Sequence, residues 1–361
     1  MPPVVLIAPA AFKGTLGPRQ VAAAISLGVR RAFPEASVIE CPIADGGNGL
    51  LDVVLPPTGA LRERVEVTGP IGEKVSAEIG WIDAETAIIE SASACGLALV
   101  EPEDRDPLST TTRGVGELIW IAADRGARTI VVGLGGSATV DGGTGAARGF
   151  GWTFENAAGE QLPDGGGALA DVATFGPGWG LSASRVIALA DVATPLIGPQ
   201  GAAPVFGPQK GARAEEIPQL VAGLERLAQL WAQAGRPELG TMPMGGAAGG
   251  LAAGLVFFAK AELAAGADWV LERAGFDAAL AKADLVITAE GSFDRTSLVG
   301  KAPGEVVRRA LAAKKKVAVV AGKVESIPGI HAIGADGGRR MLDGPALARM
   351  AERVARQALH I

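Results

Sequence analysis

Four stretches of the chain share one arrangement: a β-branched run, then an acid among glycines or small residues, then a helix-forming segment. They are "PIADGGNG" with Asp45, "GLGGSATVDGGTG" with Asp141, "ALADVATPLIGP" with Asp191, and "VITAEGSFDRTSLVGKAPG" with Glu290, Asp294 and Lys301. Glycine lets backbone N–H groups come close to an anion, and a following helix N-terminus adds positive potential. The acids have the wrong charge to bind phosphate themselves. They suit two other tasks, holding Mg²⁺ and taking a proton from a hydroxyl. The pattern reads as glycines that receive phosphate or carboxylate, and acids that handle metal and proton.

Other chemistries find less support. "GLGGSA" fits G-x-G-x-x-A through Gly133, Gly135 and Ala138, which keeps a dinucleotide-binding oxidoreductase open. "DGGTG" follows where that fingerprint needs a helix already running, and glycine is a poor helix former. No P-loop exists: Gly300-Lys301 is followed by Ala302, and Gly322-Lys323 by Val324. The protein-kinase H-R-D loop and the serine-hydrolase elbow are absent. Two histidines leave no His-based zinc or iron site, and two cysteines make neither metal spacing nor a disulfide framework. A net charge of −6 excludes a nucleic-acid partner, since scattered basic residues would not neutralise a phosphate backbone. The N-terminus lacks a positive leader and its apolar run is too short for a membrane span, so a cytoplasmic protein with no membrane partner is expected.

The elements that must carry these loops alternate. "VVLIA" and "SVIECPI" read as strands, with a helix from Arg19 to Phe33 between them whose Val21, Ile25, Val29 and Phe33 share one face. From Arg62 to Leu99, "ERVEVTGP", "EKVSAEIGWID" and "TAIIESA" alternate across short turns and predict antiparallel hairpins. A helix over 114–124, the strand "RTIVVGL", a loop over 152–181, the strand "RVIALADV" and a long helix after residue 213 follow. Near residue 270 the strand–helix rhythm returns. The expected fold is α/β, a Rossmann-like doubly wound domain from both chain ends (1–65 and 271–361) with an inserted mixed α/β domain over 66–270.

Taken together, these residues resemble a known family, the class I glycerate kinases. The stretches that carry the resemblance are "IAPAAFKGTL", "PIADGGNG", "IIESASACGLALV", "EPEDRDPLSTTTRGVGELI", "VVGLGGSATVDGGTGAARGFG", "DVATPLIGPQGAAPVFGPQKGA" and "DLVITAEGSFDRTSLVGKAPGEV". The resemblance implies ATP-dependent phosphorylation of D-glycerate at the 2-hydroxyl. It also implies that Asp45, Asp141, Asp191, Glu290, Asp294, Lys13, Lys210 and Lys301 line a cleft between the domains. The family usually has Asp-Ser where Ala10 and Ala11 stand, Glu at Asn48, Asn at Val140, Arg at Ser292, and a Tyr near Arg113. A kinase of a related small hydroxy acid, an inactive sugar-acid binder and an NAD(P)-dependent oxidoreductase are the alternatives.

Phosphoryl transfer needs positioning and charge neutralisation more than covalent chemistry. Mg²⁺ bridging the β- and γ-phosphates of ATP would be held partly through Asp294 or Asp191. Amides of Gly135, Gly136, Ser137, Gly142 and Gly143 would receive phosphate or carboxylate, with Gly46, Gly47, Ser93, Asp141 and Glu290 in the same binding set. Lys13, Lys210 or Lys301 would offset charge on the transferring group. Asp191, with Asp45 second, would accept the hydroxyl proton. The partners expected are the small acid and ATP, with a homo-oligomer left open.

Overall fold

A computed structural model describes residues 2–12, 14–47, 49–56, 61–181, 184–298, 300–335 and 342–359. Lys13 and Asn48 therefore lie outside the described residues. The strands are β1 (Val4–Ile7), β2 (Ser37–Glu40), β3 (Arg62–Thr68), β4 (Lys74–Trp81), β5 (Thr86–Glu90), β6 (Thr129–Gly133) and β7 (Thr153–Glu155). They continue with β8 (Thr174–Gly176), β9 (Arg185–Ala190), β10 (Glu262–Ala265), β11 (Leu285–Phe293), β12 (Lys316–Val324) and β13 (His331–Gly334). The chain divides into two compact units, one of Met1–Asp45, Asp52–Pro57 and Ala265–Ile361, the other of Gly46–Leu51 and Thr58–Ala264.

The first unit holds a five-stranded sheet in the order β13-β12-β11-β1-β2, parallel throughout. Its strands are β-branched runs because both faces are covered. Helices Pro18–Ala32 and Gly344–Leu359 cover one face through Val21, Ile25, Val29, Leu347, Ala351 and Val354. Helices Gly266–Arg273, Phe276–Lys282 and Ala302–Ala312 cover the other through Leu271, Phe276, Val306 and Val307. The crossover from β1 passes on the first face and that from β11 on the second. The sheet therefore has its switch point between β1 and β11, where open α/β folds bind ligands.

In the second unit the order is β10-β9-β6-β5-β4-β3, with β3, β4 and β5 antiparallel and β5, β6 and β9 parallel. The predicted loop over 152–181 contains an antiparallel pair, β7 with β8. These strands are too short to show a period, and aromatic anchoring fixes them instead. Phe154 meets Phe258 edge-on at 5.5 Å, and Phe175 meets Phe257 at 5.4 Å. Among the described residues no helix is long and apolar enough to cross a membrane.

Glycine sets the closest approach in this unit. Helix Arg113–Asp124 packs on helix Thr144–Gly149 so tightly that a Cβ on Gly116 would stand 1.8 Å from the carbonyl oxygen of Ala146. Gly→Ala inside a helix ordinarily gains about 1 kcal/mol. Here the obstacle is backbone that cannot turn aside, and overpacking costs about 1–3 kcal/mol. Gly116→Ala is expected to lose up to about 2 kcal/mol net, read as a lower urea midpoint with the slope unchanged.

Candidate functional site

In the second unit the carboxyl ends of β6 and β9 open onto a cavity of about 120 Å³. Gly135, Gly136, Ser137, Asp191 and Lys210 line it, with Leu97, Phe206, Gln209, Ala247 and Ala248 among the other walls. Asp191 is the first residue past β9, and Gly135–Ser137 follow β6 directly. The structure thus brings together three of the predicted glycine-loop positions, one predicted acid and one predicted lysine.

Lys210 is only 3% exposed. It ends the 3₁₀ turn Pro208–Lys210, and Gly211 behind it takes the left-handed conformation at φ 102° that lets the chain turn away. Its Nζ donates to Ser137 Oγ at 2.8 Å and to the Thr139 carbonyl at 2.7 Å, and the Phe206 ring centroid lies 5.8 Å away. An ammonium has three donors, so one remains for a ligand in the cavity. Burial pushes this ammonium down to about 8, with Cys95 and Asp141 pulling the other way. The Cys95 thiol is buried and pushed up to about 12, chiefly by burial, which makes it inert.

Asp141 is not among the residues that line this cavity. It is wholly buried, and its carboxylate is filled by the protein itself. Oδ2 accepts from Thr112 N at 2.8 Å, Thr112 Oγ1 at 2.7 Å and Gly145 N at 3.2 Å, and Oδ1 accepts from Gly143 N at 3.0 Å. Burial raises its pKa while these donors oppose the rise. The residue ties together the starts of helices Arg113–Asp124 and Thr144–Gly149. Gly142 and Gly143 are held in the same network. The Gly143 amide is used by Asp141, and that of Gly142 donates to the Gly249 carbonyl at 3.1 Å. Their φ values of 61° and 77° are what require glycine.

Gly46 and Gly47 also act through their backbone. A Cβ on Gly133 would meet the Gly46 carbonyl oxygen at 2.2 Å, and one on Gly135 would meet Gly47 Cα at 3.1 Å. Ser93 donates to the Glu90 carbonyl at 2.7 Å and is not part of the cavity wall. The departure at Val140 falls in the hydrophobic core. Helix Thr144–Gly149 begins well after Ala138, so "GLGGSA" is not the strand–turn–helix of a dinucleotide fingerprint.

Residues missed in the sequence include Phe206, Gln209 and the loop Gly245–Gly250. In that loop Ala248 adopts φ 52°, and a Cβ on Gly249 would lie 1.9 Å from the Thr139 carbonyl that holds Lys210. The "GGAAGG" run carried a signal, glycine density, but has no acid to draw attention.

The first unit gathers Asp45, Glu290, Asp294 and Lys301 at its switch point. Beyond β1 the Ala10 amide donates to the Ala289 carbonyl, and Ile43 N donates to the Pro9 carbonyl, so three loops run side by side. Glu290 is raised from its ordinary value, first by burial, against a hydrogen bond from Ser297 and the charge of Lys301; Asp294 and Asp45 add to the rise. Its Oε1 is buried with no hydrogen-bond partner. The departures at Ala10 and Ala11 follow β1, and the one at Ser292 lies near the carboxyl end of β11. Among the described residues no three His, Cys, Asp or Glu side chains close into a metal cage.

Comparison with known proteins adds to this geometry. Residues 5–360 match the glycerate kinase family. The chain is 40% identical over 337 residues to glycerate 2-kinase of Escherichia coli K12, covering 92% of this chain and 88% of that one. It is 41% identical over 325 residues to glycerate kinase of Bacillus subtilis 168, covering 89% and 85%. The crystal structure designated glycerate kinase 2 from Salmonella typhimurium LT2 superposes with a TM-score of 0.83 at 36% identity, covering 100% of this chain and 99% of that one. In sequence and in fold, the chain belongs to the glycerate kinase family.

Proposed function

We propose that this chain transfers the γ-phosphoryl group of ATP to the 2-hydroxyl of D-glycerate. The observation that carries the reading is the small cavity where a buried ammonium with a spare donor faces the same space as a carboxylate. Lys210 binds the acid's carboxylate, and Asp191 takes the hydroxyl proton as the oxygen bonds to phosphorus and ADP departs. The relatives' names and the family supply the acid and the donor; the cavity supplies the size limit. Asp191, on the wall it shares with Lys210, serves as base, and the metal is left to the carboxylates of the first unit.

The first unit takes the donor. Lys301 offsets phosphate charge, and a hard divalent cation fits its carboxylates, since Glu290 keeps one buried oxygen unpartnered. Asp294 and Glu290 would hold Mg²⁺, which would neutralise polyphosphate charge when bound. We place the reaction in the cytoplasm, where thiols such as Cys41 and Cys95 stay reduced.

An ATP-consumption assay over a panel of small hydroxy acids, with products read by ³¹P NMR, tests the reading. D-glycerate should give the 2-phosphate; no ADP from any acid would overturn it.

Charge on Lys210 makes the reaction pH-dependent. The ammonium is needed to bind an anion, so kcat/KM should fall about tenfold per pH unit once pH passes about 8. The stability effect has the opposite sign. Because the folded-state pKa lies below the unfolded 10.5, the unfolded chain holds more protons between about 8 and 10.5, and stability at this site rises with pH there. Rate profiles and melts across pH 7–10 check both slopes.

A further inference from the structure

A second, larger cavity lies wholly in the first unit, at the carboxyl end of β13 and along the start of helix Gly344–Leu359. Its volume is about 570 Å³, against about 120 Å³ for the cavity around Lys210. That is far more than a three-carbon acid needs and falls within the range of drug- and cofactor-sized pockets. Ala335, Leu342, Ala346 and Met350 give it an apolar wall, and Arg349 and Arg353, one helical turn apart, supply its charge. Among the described residues no acidic side chain lines it and neither guanidinium is met by a carboxylate.

An apolar wall beside two planar, weakly hydrated cations suits a purine, because guanidinium groups stack on aromatic faces. The position agrees. In this sheet β13 is separated from β11 by β12 alone, so the rim at Glu290, Asp294 and Lys301 lies about 10 Å along the strand-pairing direction. A nucleoside triphosphate laid along that rim would set its base at β13 and its terminal phosphates at β11.

We propose that this cavity receives the adenosine half of the donor nucleotide, with Arg349 and Arg353 as its specificity residues; the inference rests on the ATP reading above. Calorimetric titration of the full chain with ADP and with tripolyphosphate tests it, using Arg349→Gln, Arg353→Gln, their combination, and Ala346→Trp to fill the space. Circular dichroism and melting curves confirm that each variant folds. Each arginine variant should weaken ADP binding roughly tenfold. Ala346→Trp should do so as well, while tripolyphosphate binding and the KM for D-glycerate change less than about twofold. Unchanged ADP affinity in the folded double variant and in Ala346→Trp would overturn the site. Equal losses for ADP and tripolyphosphate would also overturn it, since the cavity would then read phosphate and not adenosine. Wild-type turnover separates the two readings: ADP binding that depends on these arginines in a chain that never consumes ATP would sink the proposed reaction and leave the site standing.

Discussion

Asp191→Asn is expected to lower kcat by roughly 10²–10⁴-fold, the span that a positioned general base contributes. The amide matches the carboxylate in shape but cannot take a proton from the attacking hydroxyl. Asp191 is half-buried at the end of β9, on the wall it shares with Lys210, so the substitution leaves cavity shape and fold in place. The KM for the acid should move little, because the carboxylate contact is made by Lys210. Steady-state kinetics on the folded variant decide the matter. A kcat near that of the wild type would remove Asp191 as base and return the role to Asp45.

Lys210→Met should separate function from stability. Losing a buried charge contact of this kind costs roughly 2–5 kcal/mol, or about 30- to 4,000-fold in kcat/KM for the acid. The folded chain should tolerate the change. Methionine fills a similar volume and removes the burden of a desolvated ammonium. Against that gain, Ser137 Oγ and the Thr139 carbonyl lose a donor, about 1–3 kcal/mol between them. The two effects nearly cancel, so the melting temperature should stay within a few degrees while kcat/KM collapses. Retained kcat/KM would show that the spare donor meets no substrate.

The fold was legible wherever burial imposes a period. "VVLI", "TIVVG" and "LVIT" announce two-sided burial, and the four-residue spacing of Val21, Ile25 and Val29 announces one helix face. The three-residue strands β7 and β8 were hidden because aromatic contacts far along the chain fix them. The site was legible in its residue types, while the surroundings of each side chain were not. Lys210 and Asp191 line one cavity. Asp141, in the most conspicuous glycine run, turns inward, because Thr112, far back along the chain, offers its two shortest hydrogen bonds and the amides of Gly143 and Gly145 complete the set. Composition alone does not say whether an amide near a glycine points to solvent or to the next loop. The cavity wall at Phe206, Gln209 and Ala248 comes from segments with no acid or lysine to advertise them, Gln209 excepted only by its neighbour.

Close backbone contact at Gly116, Gly143 and Gly249 bears on how relatives of this chain are recognised. A pattern that exists so that main chain can touch main chain belongs to the architecture. It would persist in a descendant that had abandoned catalysis, because any side chain there would break the scaffold first. Membership scored on the glycine signature therefore cannot tell a working phosphotransferase from a silent paralogue. On the roles proposed above, the identities at positions 191 and 210 would.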